Sequence, residues 1–280
     1  GYNPRYRGKR SYNPLLCLEA NSSFLWDAEL RSGNAGTWEG SPALLDTSFV
    51  NVPPEIRELR FRADAGFGYD PVFEKLEAHR ADYAVVARLT TSLQRLLPGL
   101  RYAPANACWD CGEGEFRAQG WRQARRIVVA RCAIEEDDPQ PTLFAMGRYC
   151  YRVWVTNLTL TPAGVWHFYD GRAAMEPRIH ELREDFALRK IPTSSFEANA
   201  LYLEVIRLAY NLVAIFQRLC LPEEGQSLTL SKLRHRLFWL PGELTRPQNR
   251  PTLRLANSRL IAMWAEQILH RIHKLRALEG

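Results

Sequence analysis

A block of strand-like segments between about Arg101 and Leu160 constrains the fold of this 280-residue chain more than any other feature. Its patches EFRAQGWR, RIVVARCAI and TLFAMGRYCYRVWVTNL alternate apolar and polar residues, which is typical of consecutive β-strands. The residues before it predict a hairpin, a helix, a strand, a helix at about Asp70–Ala78 and a strand. The residues after it predict helices at about Ala163–Phe186 and Ser195–Leu221, the second capped by Ser194 or Ser195. The pattern therefore predicts an α/β fold in which a run of consecutive β-strands separates two parts that contain helices.

Positive charge is concentrated in parts of the chain. The net charge is +6, and from Arg207 to the end there are 12 Lys and Arg against 5 Asp and Glu. The stretch Arg117–Arg131 holds five arginines and no acid, together with Trp121. Basic stretches of this kind are either solvated surface or contacts to a polyanion such as DNA. From the second interpretation we expect Arg117, Trp121, Arg122, Arg125 and Arg126 to face DNA, and the alternative for Trp121 is a position in the hydrophobic core.

Two features limit the class of protein. The apolar run Leu201–Leu221 is interrupted by charged and polar residues, so it predicts a buried core helix and no membrane span. Six cysteines in a chain of this length do not predict a disulfide scaffold. Cys108 and Cys111 form a CxxC pair, which leaves open a zinc-stabilised DNA-binding module without catalytic activity.

The segment WHFYDGRAAMEPRIHELREDF carries the chemistry. On one continuous helix, Tyr169, Arg172, Glu176 and Arg183 would share a stripe about 60° wide, at about 100° per residue. Such a stripe either faces water or faces a phosphodiester, with a metal bound at the Glu176 carboxylate. Pro177 predicts a kink at this point, because proline lacks the N–H that a helix interior uses.

The spacing of these four residues resembles the Tyr-Arg-Glu-Lys signature of bacterial insertion-sequence DDE transposases, with Arg183 where that family usually has lysine. The segment RADAGFGYD resembles the family's strand end that bears the second catalytic aspartate, which maps onto Asp64. The opening GYNPRYRGKRSYNPLL and the late SSFEANALYLEVIRLAYNL are also similar to family sequence. The nearest resemblance is to the insertion-sequence thirteen-eighty group.

The resemblance implies a ribonuclease-H-like mixed sheet flanked by helices, with a β-rich insertion before the last catalytic helix. It implies that Asp64 and Glu176, which are 176 − 64 = 112 residues apart, bind Mg²⁺ or Mn²⁺ as catalytic ligands. Two such metals about 3.5–4 Å apart stabilise the attacking and leaving oxygens at phosphorus. It also implies that Tyr169, Arg172 and Arg183 contact DNA. The boundaries we expect are 1–100 and 161–222 for the core, 101–160 for the insertion and 223–280 for a basic helical tail.

The first catalytic aspartate of the family has no counterpart. Asp27 would lie on a strand toward the sheet edge and Asp46 on the following helix, so neither can stand beside Asp64. We therefore expect the first strand to be missing from this chain, and the chain to be inactive alone.

Besides the zinc-stabilised module, two functions remain open. One is metal-dependent DNA cleavage and strand transfer, that is DNA transposition, by the full-length protein. The other is a catalytically dead fragment that binds DNA or full-length transposase. The expected partners are the terminal inverted repeats of the element, target DNA and a second copy in a homodimer. We expect a cytoplasmic, nucleoid-associated protein.

Overall fold

A computed structural model describes residues 10–134, 145–146, 148–255 and 259–277. The opening residues Gly1–Lys9 and the acidic segment from Glu135 to Asp138 lie outside them. The chain forms two compact units. The first comprises residues 1–15 and 31–174, and the second comprises residues 16–30 and 175–280.

The first unit is built on a mixed sheet. Two earlier strands, β1 (Leu15–Leu18) and β2 (Leu25–Glu29), form a separate hairpin. The strands of the mixed sheet, in chain order, are β3 (Arg60–Ala63), β4 (Asp82–Val86), β5 (Tyr102–Pro104), β6 (Asp110–Phe116), β7 (Arg125–Ala133), β8 (Ala145–Met146) and β9 (Tyr149–Thr156). The sheet order is β3-β4-β9-β7-β6-β5, and the short β8 pairs with β9. Strands β3 and β4 are parallel, whereas β9 is antiparallel to both β4 and β7. The strand-rich block therefore continues the sheet that β3 and β4 begin.

Helices cover both faces of this sheet. They are α1 (Ser41–Val50), α2 (Asp70–Ala78), α3 (Thr91–Leu96) and α4 (Pro162–Asp170). On one face, Val85, Ile127 and Val155 pack with Phe73 and Leu76 of α2. On the other face, Trp154 packs with Val165 and Trp166 of α4. Burying apolar side chains on both faces stabilises the sheet at roughly 25 cal/mol per Å² of apolar surface.

The second unit packs the β1–β2 hairpin against α6 (Phe196–Cys220). The amide of Asn211 joins them, since it accepts from the Leu25 N–H at 2.9 Å and donates to the Leu25 carbonyl at 3.1 Å. The remaining elements are α5 (Met175–Glu184), α7 (Glu223–Gln226), α8 (Leu230–Leu233), a hairpin of β10 (Gly242–Thr245) and β11 (Thr252–Leu255), and α9 (Arg259–Arg276).

Most of the predicted elements are confirmed, including the opening hairpin, the helix at Asp70–Ala78 and the Ser195 cap of α6. The Ser195 hydroxyl accepts from the Ala198 N–H at 3.2 Å. The single helix predicted at about Ala163–Phe186 is wrong, because a 3₁₀ turn at Gly171–Ala174 separates α4 from α5. Pro177 lies in the first turn of α5, where its missing N–H costs no hydrogen bond.

The prediction of a buried core helix after Ser195 holds for only one face of the helix. Helix α6 buries one face, and its opposite face exposes several large apolar side chains. By length and composition it is the one helix within the described residues that could cross a membrane, and 22% of its most apolar stretch is buried against the protein. One such helix is weak evidence for a membrane span.

Candidate active site

Asp64 directly follows β3 and begins a short 3₁₀ turn, Ala65–Phe67. Its Oδ1 atom accepts the Gly66 N–H at 2.8 Å, which fixes the orientation of the carboxylate. The side chain is 50% exposed. Because β3 and β4 are parallel, their carboxyl ends meet at one edge of the sheet, which is where ligands bind in open α/β folds.

Two arginines contact the turn that Asp64 begins. The Arg172 Nη2 atom lies 3.7 Å from Asp64 Oδ2. Arg88, which follows β4, donates from Nε to the Ala65 carbonyl at 3.1 Å, and its guanidinium lies over the Tyr69 ring at 4.5 Å. Neither Arg88 nor Arg62 was identified as a candidate site residue from the sequence. The signal available for Arg88 was its position directly after the YAVVA strand. The signal available for Arg62 was the alternation of arginines in RFRAD.

Arg62 of β3 anchors the turn that carries Arg172. Its Nη1 donates to the Phe168 carbonyl at 2.8 Å, and its guanidinium lies 5.0 Å from the Phe168 ring centroid. Burial lowers the pKa of Arg62. A Cβ at Gly171 would lie 2.1 Å from Arg62 Nη1, so a larger residue there would require the Arg62 guanidinium to shift. The end of α4 is thereby held against β3, close to Asp64.

Tyr169 is half-buried at the end of α4, and its ring packs 5.7 Å from that of Trp154. Its apolar body is thus supported by the sheet face. Glu176 and Arg183 lie in the first and last turns of α5, and both are exposed. They belong to the second unit, while Asp64, Tyr169 and Arg172 belong to the first. The stripe calculated for one continuous helix does not apply, because the 3₁₀ turn has about three residues per turn.

Trp121 and Arg125 are buried, so the prediction that they face DNA is wrong. Trp121 is 8% exposed, and its ring packs edge-on against Phe73 and Phe116 in the hydrophobic core. The Arg125 side chain is 3% exposed and pairs with Asp70 at 2.5 Å and Glu77 at 2.7 Å.

This ion-pair cluster extends to Tyr83, whose hydroxyl donates to Glu77 at 2.9 Å. Burial, followed by the charge of Glu77, raises the pKa of Tyr83. The sequence could not reveal the cluster, because Asp70 and Glu77 are distant from Arg125 along the chain.

Arg122 and Arg126 remain accessible to different degrees. The Arg122 side chain is 81% exposed and pairs with Glu74 at 2.8 Å. Arg126 is 26% exposed, pairs with Glu113 at 2.5 Å, and donates to the carbonyls of Leu158 and Leu160. Arg126 thus holds the loop before α4, and Arg122 is the arginine of this set most open to a ligand.

The described residues do not by themselves complete a metal site. They contain no group of three or more His, Cys, Asp or Glu that could hold a metal ion, and this includes the surroundings of Cys108 and Cys111. Asp64 does supply an accessible carboxylate, the kind of oxygen ligand that magnesium prefers. Of the upstream acids, Asp46 pairs with Lys75 and His79, and Asp27 lies 3.5 Å from Arg207.

The chain was compared with models of known protein families, and one covers nearly all of it. The family described as Transposase DDE domain group 1 matches residues 2–277, nearly the whole chain. A search of the curated proteins gives no match.

Proposed function

This chain belongs to the transposase DDE domain group 1 family, whose members carry out DNA transposition with divalent metals, and on that premise we propose that Asp64 and Glu176 are catalytic carboxylates for DNA cleavage and strand transfer. The observation that carries the proposal is the accessible Asp64 carboxylate at the carboxyl end of β3, with Arg172 3.7 Å away. A fixed carboxylate beside a guanidinium suits a metal-bound phosphodiester, because the guanidinium can bind the phosphate while the carboxylate binds the metal.

The chemistry of each residue follows from its type. Asp64 and Glu176 would hold Mg²⁺ or Mn²⁺, which supplies charge stabilisation at the reacting phosphorus. Arg172 and Arg183 would donate hydrogen bonds to phosphate oxygens, and the Tyr169 hydroxyl would add a neutral donor. The hydrogen bond from the Gly66 N–H holds Asp64 Oδ1 within the 3₁₀ turn, so that Oδ2 is the carboxylate oxygen nearest to Arg172. No other acid of the described residues completes a group of three.

The edge of β3 opposite β4 carries no strand within the described residues. We propose that a further strand on this edge brings the third acid next to Asp64, as the ribonuclease-H-like arrangement of the family implies. Without it, the chain binds its metals weakly and does not cleave DNA by itself. Catalytic groups that act as a unit lose most of the rate when one member is missing.

The proposed partner is DNA, specifically the terminal inverted repeats of the element and the target DNA. We propose that two copies of the protein bind it at the nucleoid. Exposed arginines of the second unit support a polyanionic partner; they are Arg236, Arg246, Arg250 and Arg254. Phosphate contacts of this kind supply affinity without sequence specificity.

The test compares this chain with one extended upstream to include a further acidic strand, each with Mg²⁺ or Mn²⁺ and a duplex bearing the element's ends. We expect cleavage by the extended chain only, and its loss in Asp64→Asn and Glu176→Gln variants of that chain. Binding of Mn²⁺ measured by calorimetry should weaken in the same two variants, which provides a readout independent of turnover.

A catalytically dead DNA-binding fragment is the second candidate. The lack of a three-residue metal group in the described part of the chain favours it. Cleavage by the short chain equal to that of the extended chain would contradict both the third-acid argument and this candidate. DNA binding without cleavage by either chain would leave the second candidate and remove the first.

A further inference from the structure

Helix α6 carries a continuous apolar seam on the face turned away from its own unit. The side chains of Leu201, Val205, Leu208, Leu212, Ile215 and Leu219 are each between 40% and 66% exposed. The opposite face buries Leu203, Ile206 and Tyr210 against the β1–β2 hairpin and α5. A single exposed leucine needs no explanation, but a contiguous apolar patch indicates an interaction surface.

The spacing of the seam matches a helical partner. Leu201, Leu208 and Ile215 recur every seven residues, and so do Val205, Leu212 and Leu219. The two series interleave at steps of four and three, which is the pattern of the a and d positions in a two-stranded coiled coil. The seam spans 219 − 201 = 18 residues, or about 27 Å at about 1.5 Å per residue. A second helix with the same spacing is its geometric complement.

The charges beside the seam indicate which helix this is. One flank carries Glu197, Glu204, Asn211 and Arg218 at seven-residue intervals. The other flank carries Tyr202, Ala209 and Phe216, which have no charge. Glu197 and Arg218 are exposed, and the Glu204 side chain is 41% exposed while paired with Arg207. The flank is thus acidic at its amino end and basic at its carboxyl end.

Such a flank is complementary to itself when reversed. In an antiparallel pair, Val205 packs with the partner's Leu208 and Leu212 packs with the partner's Leu201, while Ile215 and Leu219 lie beyond these apolar layers. The same register brings Glu197 opposite the partner's Arg218, and the two-fold axis repeats this ion pair at the other end. In a parallel pair, the charged flank would face the uncharged one, so these ion pairs would not form.

We propose that a second copy of this chain docks on α6, in an antiparallel two-helix contact centred between Ile206 and Arg207. The inference gives a surface to the proposed homodimer and requires neither a metal nor DNA. Its failure would therefore leave the proposed strand-cleavage chemistry standing.

The test is the association state of the full 280-residue chain, measured by sedimentation equilibrium over a range of concentrations without DNA or metal. We expect a monomer–dimer equilibrium in which Leu208→Glu raises the dissociation constant by roughly 30-fold or more, the scale on which central interface anchors act. Leu244→Glu is the matched control, since Leu244 is a leucine of β10 that is 70% exposed and is not part of the seam, and we expect no change. A chain that stays monomeric, or a Leu208→Glu variant that dimerises normally, would overturn the proposal.

Orientation is tested by exchanging charges. Glu197→Arg and Arg218→Glu should each weaken the dimer, and the double variant should restore it. Circular dichroism establishes that each variant retains its helix. If neither single change alters association, the antiparallel register is wrong. If the unsubstituted chain remains monomeric but sediments with phosphatidylcholine vesicles, α6 docks on a lipid surface and a second copy is excluded.

Discussion

Arg172, which follows α4, lies 3.7 Å from the Asp64 carboxylate that follows β3. The two residues are brought together by the Arg62 contacts with Phe168 and Gly171, so the geometry depends on the packing of α4 against the sheet. An arginine in this position neutralises the aspartate when no ligand is bound and is available to a phosphate when a cation takes over the carboxylate.

Replacing Arg172 with alanine should weaken DNA binding by about tenfold or more, since a hydrogen bond to a charged group contributes about 1.5–3 kcal/mol. The loss of one phosphate contact should also lower the salt dependence of log Kd by about one unit. Fluorescence anisotropy with a duplex, measured across salt concentrations, checks both. Arg95→Ala removes an exposed arginine from α3 and should change neither. An unchanged salt slope in Arg172→Ala would remove the phosphate role.

Replacing Arg125 with alanine should destabilise the protein by about 3–5 kcal/mol, because it leaves the Asp70 and Glu77 carboxylates without their cation in a buried setting. Arg122→Ala removes an exposed pair with Glu74 and should cost less than about 1 kcal/mol. Urea unfolding of both variants gives the comparison. Equal stabilities would contradict the structural role of Arg125.

Gly66 makes room for the turn that orients Asp64. A Cβ at Gly66 would lie 2.2 Å from Thr37 Cγ2 and 2.9 Å from Asp64 Oδ1, so Gly66→Ala must displace one or both. We expect a destabilisation of about 1–3 kcal/mol. In the extended chain we also expect a loss of cleavage at temperatures where the fold remains intact. Gly99→Ala is the control, because a Cβ there meets nothing within 4 Å. Full cleavage by Gly66→Ala would show that the Asp64 orientation is unimportant.

The stability of the second unit should depend on pH through Glu181. Burial is the main cause that raises the pKa of Glu181 above 4.5, while the Leu230 N–H bond opposes the shift. The folded state then binds the proton more tightly than the unfolded state. The stability that protonated Glu181 contributes to the fold is present below pH 4.5 and is lost as the pH rises through the folded-state pKa.

Glu181→Gln keeps an acceptor for Leu230 and cannot ionise, so its free energy of unfolding should fall less between about pH 4 and pH 7. The control is Glu224→Gln, which removes a carboxylate from an exposed position of α7. Chemical denaturation at several pH values measures all three proteins. Parallel curves for the unsubstituted chain and Glu181→Gln would refute the assignment.

The sequence predicted local elements well because their signals are local. The Ser195 cap and Pro222 bracket α6, and alternation marks the strands of the β-rich block. What it missed depends on tertiary contacts. The arginines around Trp121 suggested an exposed basic surface. Arg125 is nevertheless buried, and it pairs with Glu77 and Asp70, which lie 48 and 55 positions earlier in the chain.

Helix α6 shows a second limit. A run of apolar residues predicts burial, but it does not reveal that burial stops at one face of the helix. The seven-residue spacing of Leu201, Leu208 and Ile215 was present in the sequence and indicates the other face. Asp64 and Arg172 were both named from the sequence and lie 3.7 Å apart, but their roles and those of Tyr169, Glu176 and Arg183 stay predictions. Arg62 and Arg88 were overlooked because each was a single arginine near a strand.

The antiparallel pairing of β4 with β9 also sets an order for folding. Val86 pairs with Trp154, so the edge of β4 stays open until a strand more than sixty residues later has been synthesised. Strands β6 and β7 can associate sooner, since they are joined by a short connection and do not require β9. Pairings distant in sequence slow folding and leave strand edges available for aggregation. During translation, we expect nascent chains that end before Tyr149 to be recruited by chaperones, and chains that extend past Thr156 to be released.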